Sequence, residues 1–289
     1  MSASFGARLA AAMDEHGPLC VGIDPHPGLL AEWGLPDDAS GLRDFGLRVV
    51  EAVGGRVAAV KPQAAFFERH GSRGVAALED VVAASRAAGT LVVMDAKRGD
   101  IGSTMAAYAD AYLRDGSPLA ADALTVSPYL GFGSLDPAVE AARETGRGLF
   151  VLCLTSNPEG PEVQHARRGA GAGQETVAAH VAREAARLNA PALAAGDALG
   201  PVGLVVGATI GDAAARTGTD LAAVGGPLLA PGVGAQGAGP AELSAVFGAA
   251  RRQVLASSSR GVLRAGPDVA GLRAAARTAA DDAAAALRG

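Results

Sequence analysis

The sequence predicts an α/β chain folded as one closed (β/α)8 TIM barrel, and three observations carry that expectation. Eight short β-branched or Leu-rich runs recur along the 289 residues, amphipathic segments separate them, and charged side chains gather where the runs end. A doubly wound open sheet shares the βα alternation but would normally use fewer strands over this length. A hydrophobic fraction of 49% lets a chain of this size bury a large core.

Taken in order, a short N-terminal helix over about residues 3–15 precedes the first strand, "LCVGID" at 19–24. "RVAAVKPQ" (56–63), "TLVVMDAKR" (90–98), "ALTVSP" (123–128) and "LFVLCLTS" (149–156) follow. "PVGLVVGAT" (201–209), "PLLAPGV" (227–233) and "QVLASSSR" (253–260) complete the set, each run ending in a polar or Gly/Pro cluster. The connecting stretches "GLRDFGLRVVEAVGG", "GVAALEDVVAASRAAG" and "GQETVAAHVAREAARLN" step their apolar residues by three and four, as helices packed on a sheet do. A C-terminal helix over about 268–287 ends the single domain.

Composition excludes several function classes. A net charge of -5 with no basic run argues against a nucleic-acid polymer as partner. No apolar stretch reaches the length of a membrane span, and Asp14 interrupts any signal-peptide core, so a cytoplasmic protein is expected. Cys20 and Cys153 sit in apolar runs without a CxxC partner and read as inert core thiols. His16, His26, His70, His165 and His180 lack metal-ligand spacing, so no metal site is expected.

Barrels of this kind place their chemistry at the carboxyl ends of the strands. Asp24, Lys61, Asp95, Lys97, Ser156 and Arg260 each fall at or near such an end. Charged groups are rarely buried without partners, so a set of them at several strand ends asks for a shared site. Alternation puts Asp95 and Lys97 on one side of the third strand, and Asp24 and Lys61 arrive from the two preceding strands. Asp100 follows just beyond. In such an alternating array each acid favours the charged lysine beside it, so Lys97 stays an ammonium and serves as a proton donor rather than a base.

The loops after strands seven and eight suit a phosphate. "PGVGAQGAG" offers backbone N–H groups around Gly234 together with Gln236, and "SSSRGVLRAG" offers Arg260 and Gly261, which lets the backbone approach. Gly232-x-Gly234-x-x-Gly237 matches a dinucleotide fingerprint, but Arg260 stands where that fold needs an acid, so a single phosphate monoester is the expected ligand.

"DAKRGDIGST" (95–104) resembles the Asp-x-Lys-x-x-Asp signature of the orotidine 5'-phosphate decarboxylase family, in the form of its longer bacterial group. "VGIDPHP", "AAVKPQAAFFERHG", "TVSPYLG", "LTSNP", "APGVGAQGA" and "SSSRG" occur in that family's order, so the likeness spans about residues 19 to 265. The resemblance implies decarboxylation of orotidine 5'-monophosphate to UMP with no cofactor and no metal, on a homodimer whose sites are shared across the interface. It makes Lys97 the group that stabilises and protonates the carbanion at C6, and sets Asp95 against the departing carboxylate. Lys61 and Asp24 would position the ribose, and Asp100 and Thr104 would reach into the neighbouring subunit's site. Ser156 would contact the pyrimidine, with Gln236 and Arg260 on the phosphate. Two readings compete: a metal-dependent phosphate-sugar decarboxylase or aldolase on the same scaffold, and a barrel retained only to bind nucleotide.

Three features stay open in the sequence. The segments 26–40 and 157–174 are longer than in compact relatives, and the second reads equally as a lid or a solvated loop. Arg98 either closes the site or points outward. Trp33 reads as a packing residue.

Overall fold

Eight parallel strands close on themselves in the computed structural model, which describes residues 3–233 and 238–288. They are β1 (Leu19–Ile23), β2 (Ala59–Pro62), β3 (Leu91–Arg98), β4 (Ala123–Val126), β5 (Gly148–Leu154), β6 (Val202–Val206), β7 (Leu228–Pro231) and β8 (Val254–Ser258). Each pairs with its neighbours in chain order, and β8 returns to β1 with Leu19 opposite Ala256. The long helices Ala39–Val53, Gly71–Ala87 and Val177–Ala194 cover the outside where the three- and four-residue periodicity placed them. All eight strands of the sequence reading are present but shorter, so Asp24 and Ser156 lie in the loops just past them and Arg260 starts the short helix that follows β8.

The terminal helices close the ends of the chain. Phe5–His16 starts on Ser4, whose Oγ accepts a hydrogen bond from the Ala7 amide, and Val269–Arg288 packs against Ala39–Val53 and Pro240–Phe247. The first of these helices plugs the floor of the barrel. Its Phe5, Leu9 and Met13 meet one inward residue from each strand, Cys20, Ala59, Val93, Ala123, Phe150, Val205, Leu229 and Leu255. The Phe5 ring stands edge-on to Phe150 with centroids 5.9 Å apart.

Strand side chains alternate, so two residues further along each strand the same inward face is presented again. That next layer is Gly22, Lys61, Asp95, Thr125, Leu152, Gly207, Pro231 and Ser257, so Lys61, Asp95, Thr125 and Ser257 bring polar groups directly onto an apolar layer. The barrel therefore carries a dry base under a charged mouth.

Several expectations from composition are met. Burial pushes both cysteine thiols up to about 12, which leaves neither a reactive thiolate. Trp33 packs: it stacks on Phe45 at 4.2 Å and its buried Nε1 donates to the Leu263 carbonyl at 3.2 Å. Segment 26–40 folds as the helix Pro27–Glu32 followed by Asp38, which caps the helix Ala39–Val53 through the amides of Ser40 and Gly41. Among the described residues, no helix is long and apolar enough to cross a membrane.

Candidate active site

A cleft of about 460 Å³ opens at the carboxyl ends of the strands. Larger hollows of about 570 and 670 Å³ lie against the C-terminal helix and beside residues 157–164. Among the described residues, only the cleft at the mouth gathers two lysines and two aspartates. Asp24, Lys61, Asp95 and Lys97 line it from β1–β3, Arg260 and Gly261 line it from the neighbouring β8, and Ser156 lines it from the loop after β5.

The charged wall centres on Asp95. Lys61 Nζ donates to its Oδ2 at 2.9 Å, and Lys97 Nζ donates to its Oδ1 at 2.6 Å. Burial by itself would raise the Asp95 carboxyl, but the two ammonium groups outweigh it and hold the carboxyl down at about 2. Burial would likewise lower Lys61, and the carboxylates of Asp95 and Asp24 reverse that, leaving its ammonium more stable than usual. The two lysines differ in exposure. The Lys61 side chain is 6% exposed and the Lys97 side chain 46%, so one cation is sealed in the wall and the other stands open to the cleft.

Asp95 and Lys97 do meet, but not by plain strand alternation. The β3–β4 register shifts between Met94 and Arg98, and Lys97 sits at φ 47°, the only positive φ at a non-glycine among the described residues. A left-handed conformation at a residue with a Cβ costs about 1–3 kcal/mol and persists only where surroundings enforce it. Here Thr125, on β4, does so: its Oγ1 accepts from the Lys97 amide at 2.9 Å and donates to Asp95 Oδ1 at 3.0 Å.

Asp24 arrives on the loop after β1, where the chain must pass close to β8. A Cβ at Gly22 would lie 1.9 Å from Ser259 Oγ, so only glycine fits. Asp24 Oδ1 is buried without a hydrogen-bond partner. Ser156 is steadied by Gln164, whose side chain accepts from the Thr155 amide at 3.0 Å and donates to Thr155 Oγ1 at 2.6 Å. Arg260 opens the short helix Arg260–Leu263, and Trp33 grips the far end of that turn through Leu263. A Cβ on Gly261 would come within 2.9 Å of Ser258 Oγ. Gly234 and Gln236 lie outside the described residues.

Two expected members stand elsewhere. Asp100 and Thr104 line no part of their own chain's cleft; Asp100 Oδ1 accepts from the Ile101 amide at 2.8 Å, and Thr104 is exposed on the helix Gly102–Leu113. The array inferred from spacing therefore stops at Lys97. Arg98 points outward, pairing with Glu68, donating to Tyr112 Oη at 3.0 Å and lying over the Tyr108 ring. Residues 157–174 also line no part of the cleft; Arg167–Arg168 and Glu175–Thr176 make a two-stranded ribbon tied by the Arg168–Glu175 ion pair at 2.7 Å.

Sequence reasoning missed Thr125, Gln63 and His26. Gln63 and His26 line the cleft, and a bridge joins Gln63 to Asp95. Counting two positions past Ala123 would have found Thr125 at the height of Asp95, but a threonine in a β run reads first as a strand former.

The comparisons with known proteins agree on one family. The model of the orotidine 5'-phosphate decarboxylase / HUMPS family matches residues 17–275. A protein from Streptomyces coelicolor named orotidine 5'-phosphate decarboxylase is 64% identical over 273 residues, covering 94% of either chain. One of the same name from Salinispora arenicola is 63% identical, with 99% of each chain covered. A crystal structure of such a protein from Streptomyces avermitilis is 62% identical with a TM-score of 0.92, covering 100% of this chain and 97% of the other. The Leishmania donovani OMP decarboxylase superposes with a TM-score of 0.73 at 34% identity. With its charged cleft at the mouth of the barrel and relatives this similar over nearly their whole length, the chain belongs to the orotidine 5'-phosphate decarboxylase / HUMPS family.

Proposed function

We propose that the cleft decarboxylates orotidine 5'-monophosphate to UMP, the closing step of de novo pyrimidine nucleotide synthesis, with Lys97 as the proton donor. The observation that carries this reading is the asymmetry around Asp95: two lysines grip one buried carboxylate, and only Lys97 reaches open space. As the C6–carboxylate bond breaks, its electron pair stays on C6 and CO2 leaves. The Lys97 ammonium then gives one N–H proton to C6, and its amine regains a proton from water through the open cleft. Before bond breaking that ammonium stands where negative charge develops, which is electrostatic stabilisation by a group already in place.

The remaining residues support the same reaction. Asp95 remains a carboxylate, so it anchors the Lys97 side chain and stands against the departing carboxylate. Asp24 Oδ1, buried and unpartnered, is an acceptor ready for a ribose hydroxyl, with Lys61 completing the charge network. Ser156 faces the base, and Arg260, with the close backbone approach at Gly261, takes the phosphate beside Gln236 and Gly234. Asp100 and Thr104 complete the site of a second subunit in a homodimer. Their position outside their own cleft favours this, as does the exposure of Ile101, Tyr129 and Leu130. Together they give the interface apolar surface.

Lys97→Ala tests the assignment. The kcat falls by about 10⁴-fold, the upper range for a lost general acid, while UMP affinity stays within about tenfold. A variant with near-normal kcat and a raised KM would make Lys97 a binding residue and end this mechanism.

A further inference from the structure

We infer that Thr125 is a positioning residue of the reaction, whose one hydroxyl sets both the backbone of Lys97 and the carboxylate of Asp95; this rests on the decarboxylase reading above. Thr125 is 1% exposed and lines no part of the cleft, so it acts through these two residues rather than on substrate. A buried hydroxyl needs a donor and an acceptor. Thr125 finds both in the Asp95–Lys97 pair, accepting from the Lys97 amide at 2.9 Å and donating to Asp95 Oδ1 at 3.0 Å.

The strand explains why a side chain is needed. Where the β3–β4 register shifts between Met94 and Arg98, the Lys97 amide bonds to the Thr125 hydroxyl in place of a backbone carbonyl. This substitute bond holds Lys97 at φ 47° and turns its side chain back so that Nζ reaches Asp95 Oδ1, the oxygen that Thr125 also binds. Oδ2 is left for Lys61. The β-branched threonine suits the role because its χ1 is restricted, which fixes the hydroxyl without a long side chain. Valine would match its shape and remove both hydrogen bonds.

The experiment compares Thr125→Val and Thr125→Ser by kcat, KM and UMP affinity in the full-length chain. Thr125→Val lowers kcat by about 10²-fold, the cost of a small misplacement of a reacting group, with KM and UMP affinity within about threefold. Thr125→Ser keeps the hydroxyl and retains kcat within about threefold. A kcat for Thr125→Val within that same range overturns the inference, as does a Thr125→Ser loss equal to that of Thr125→Val, which would assign the effect to the methyl group's packing. If Thr125→Val fails to fold, shown by lost UMP binding and lost cooperative unfolding, Thr125→Ala against Thr125→Ser gives the same comparison, since they differ only in Oγ. Equal kcat in that pair overturns the inference, and a kcat kept by Ser alone supports it. Inactive wild-type protein would instead sink the decarboxylase reading.

Discussion

The two sides of the barrel mouth are built on opposite plans. On the β2–β3 side, charged groups satisfy one another: Lys61, Asp95 and Lys97 form a chain of ion pairs fixed by Thr125 from β4. On the β7–β8 side the wall is serine hydroxyls, glycine and Arg260, which has no ion-pair partner among the described residues. A buried carboxylate between two cations is strongly stabilised only while both remain, whereas an exposed guanidinium stays solvated until an anion arrives. The first side is thus preorganised for chemistry in the empty protein, and the second gains its order from the ligand. Turnover and affinity should therefore respond to different residues.

The largest combined effect on turnover and stability comes from cutting the preorganised side at its centre. Asp95→Asn leaves buried Lys61 without its ion-pair partner and Lys97 without its anchor. We expect kcat to fall by about 10³-fold, and stability to fall by about 3–5 kcal/mol, read by urea unfolding. A fall in turnover with unchanged stability would show that the ion pairs do not hold that wall together. Arg260→Ala attacks the other side: UMP affinity drops by about 10–100-fold, with a smaller loss in kcat, because a charge-assisted phosphate contact disappears. Titration calorimetry with UMP reads this, and unchanged affinity would remove Arg260 from the site.

The smallest effect asks whether the charged side is finished by a second subunit. Lys97→Ala and Asp100→Ala are each nearly inactive alone. After subunit exchange half of the dimers are mixed and half of their sites are whole, so activity returns to about a quarter of wild type. With exchange confirmed by mass spectrometry of tagged chains, no recovery would place Asp100 in its own subunit's chemistry or in none.

The same contrast governs what the sequence made legible. The barrel was legible because short β-branched or Leu-rich runs alternating with period-3.6 segments constrain topology strongly. The charged residues at strand ends were legible because charge on an apolar strand demands partners. Lys97's left-handed turn was not, since a register shift depends on how β3 meets β4, which no local pattern records. Thr125 was hidden for the same reason: its significance comes from a neighbour 28 residues away. Asp100 was misjudged in its own chain's array because proximity in sequence says nothing about direction after the strand ends. Arg98, undecided between two roles, is settled by Glu68 and the two tyrosines it meets outside the barrel.

The central claim is that side chains of the cleft perform the decarboxylation without a metal, and the wild-type protein tests it directly. The chain, exhaustively treated with chelator and verified by elemental analysis, is given orotidine 5'-monophosphate while CO2 and UMP are measured together. The account predicts equimolar CO2 and UMP, at a rate equal to that of an aliquot resupplied with Mg²⁺. Loss of turnover on chelation with recovery on Mg²⁺ would contradict it and favour metal-assisted chemistry on the same scaffold.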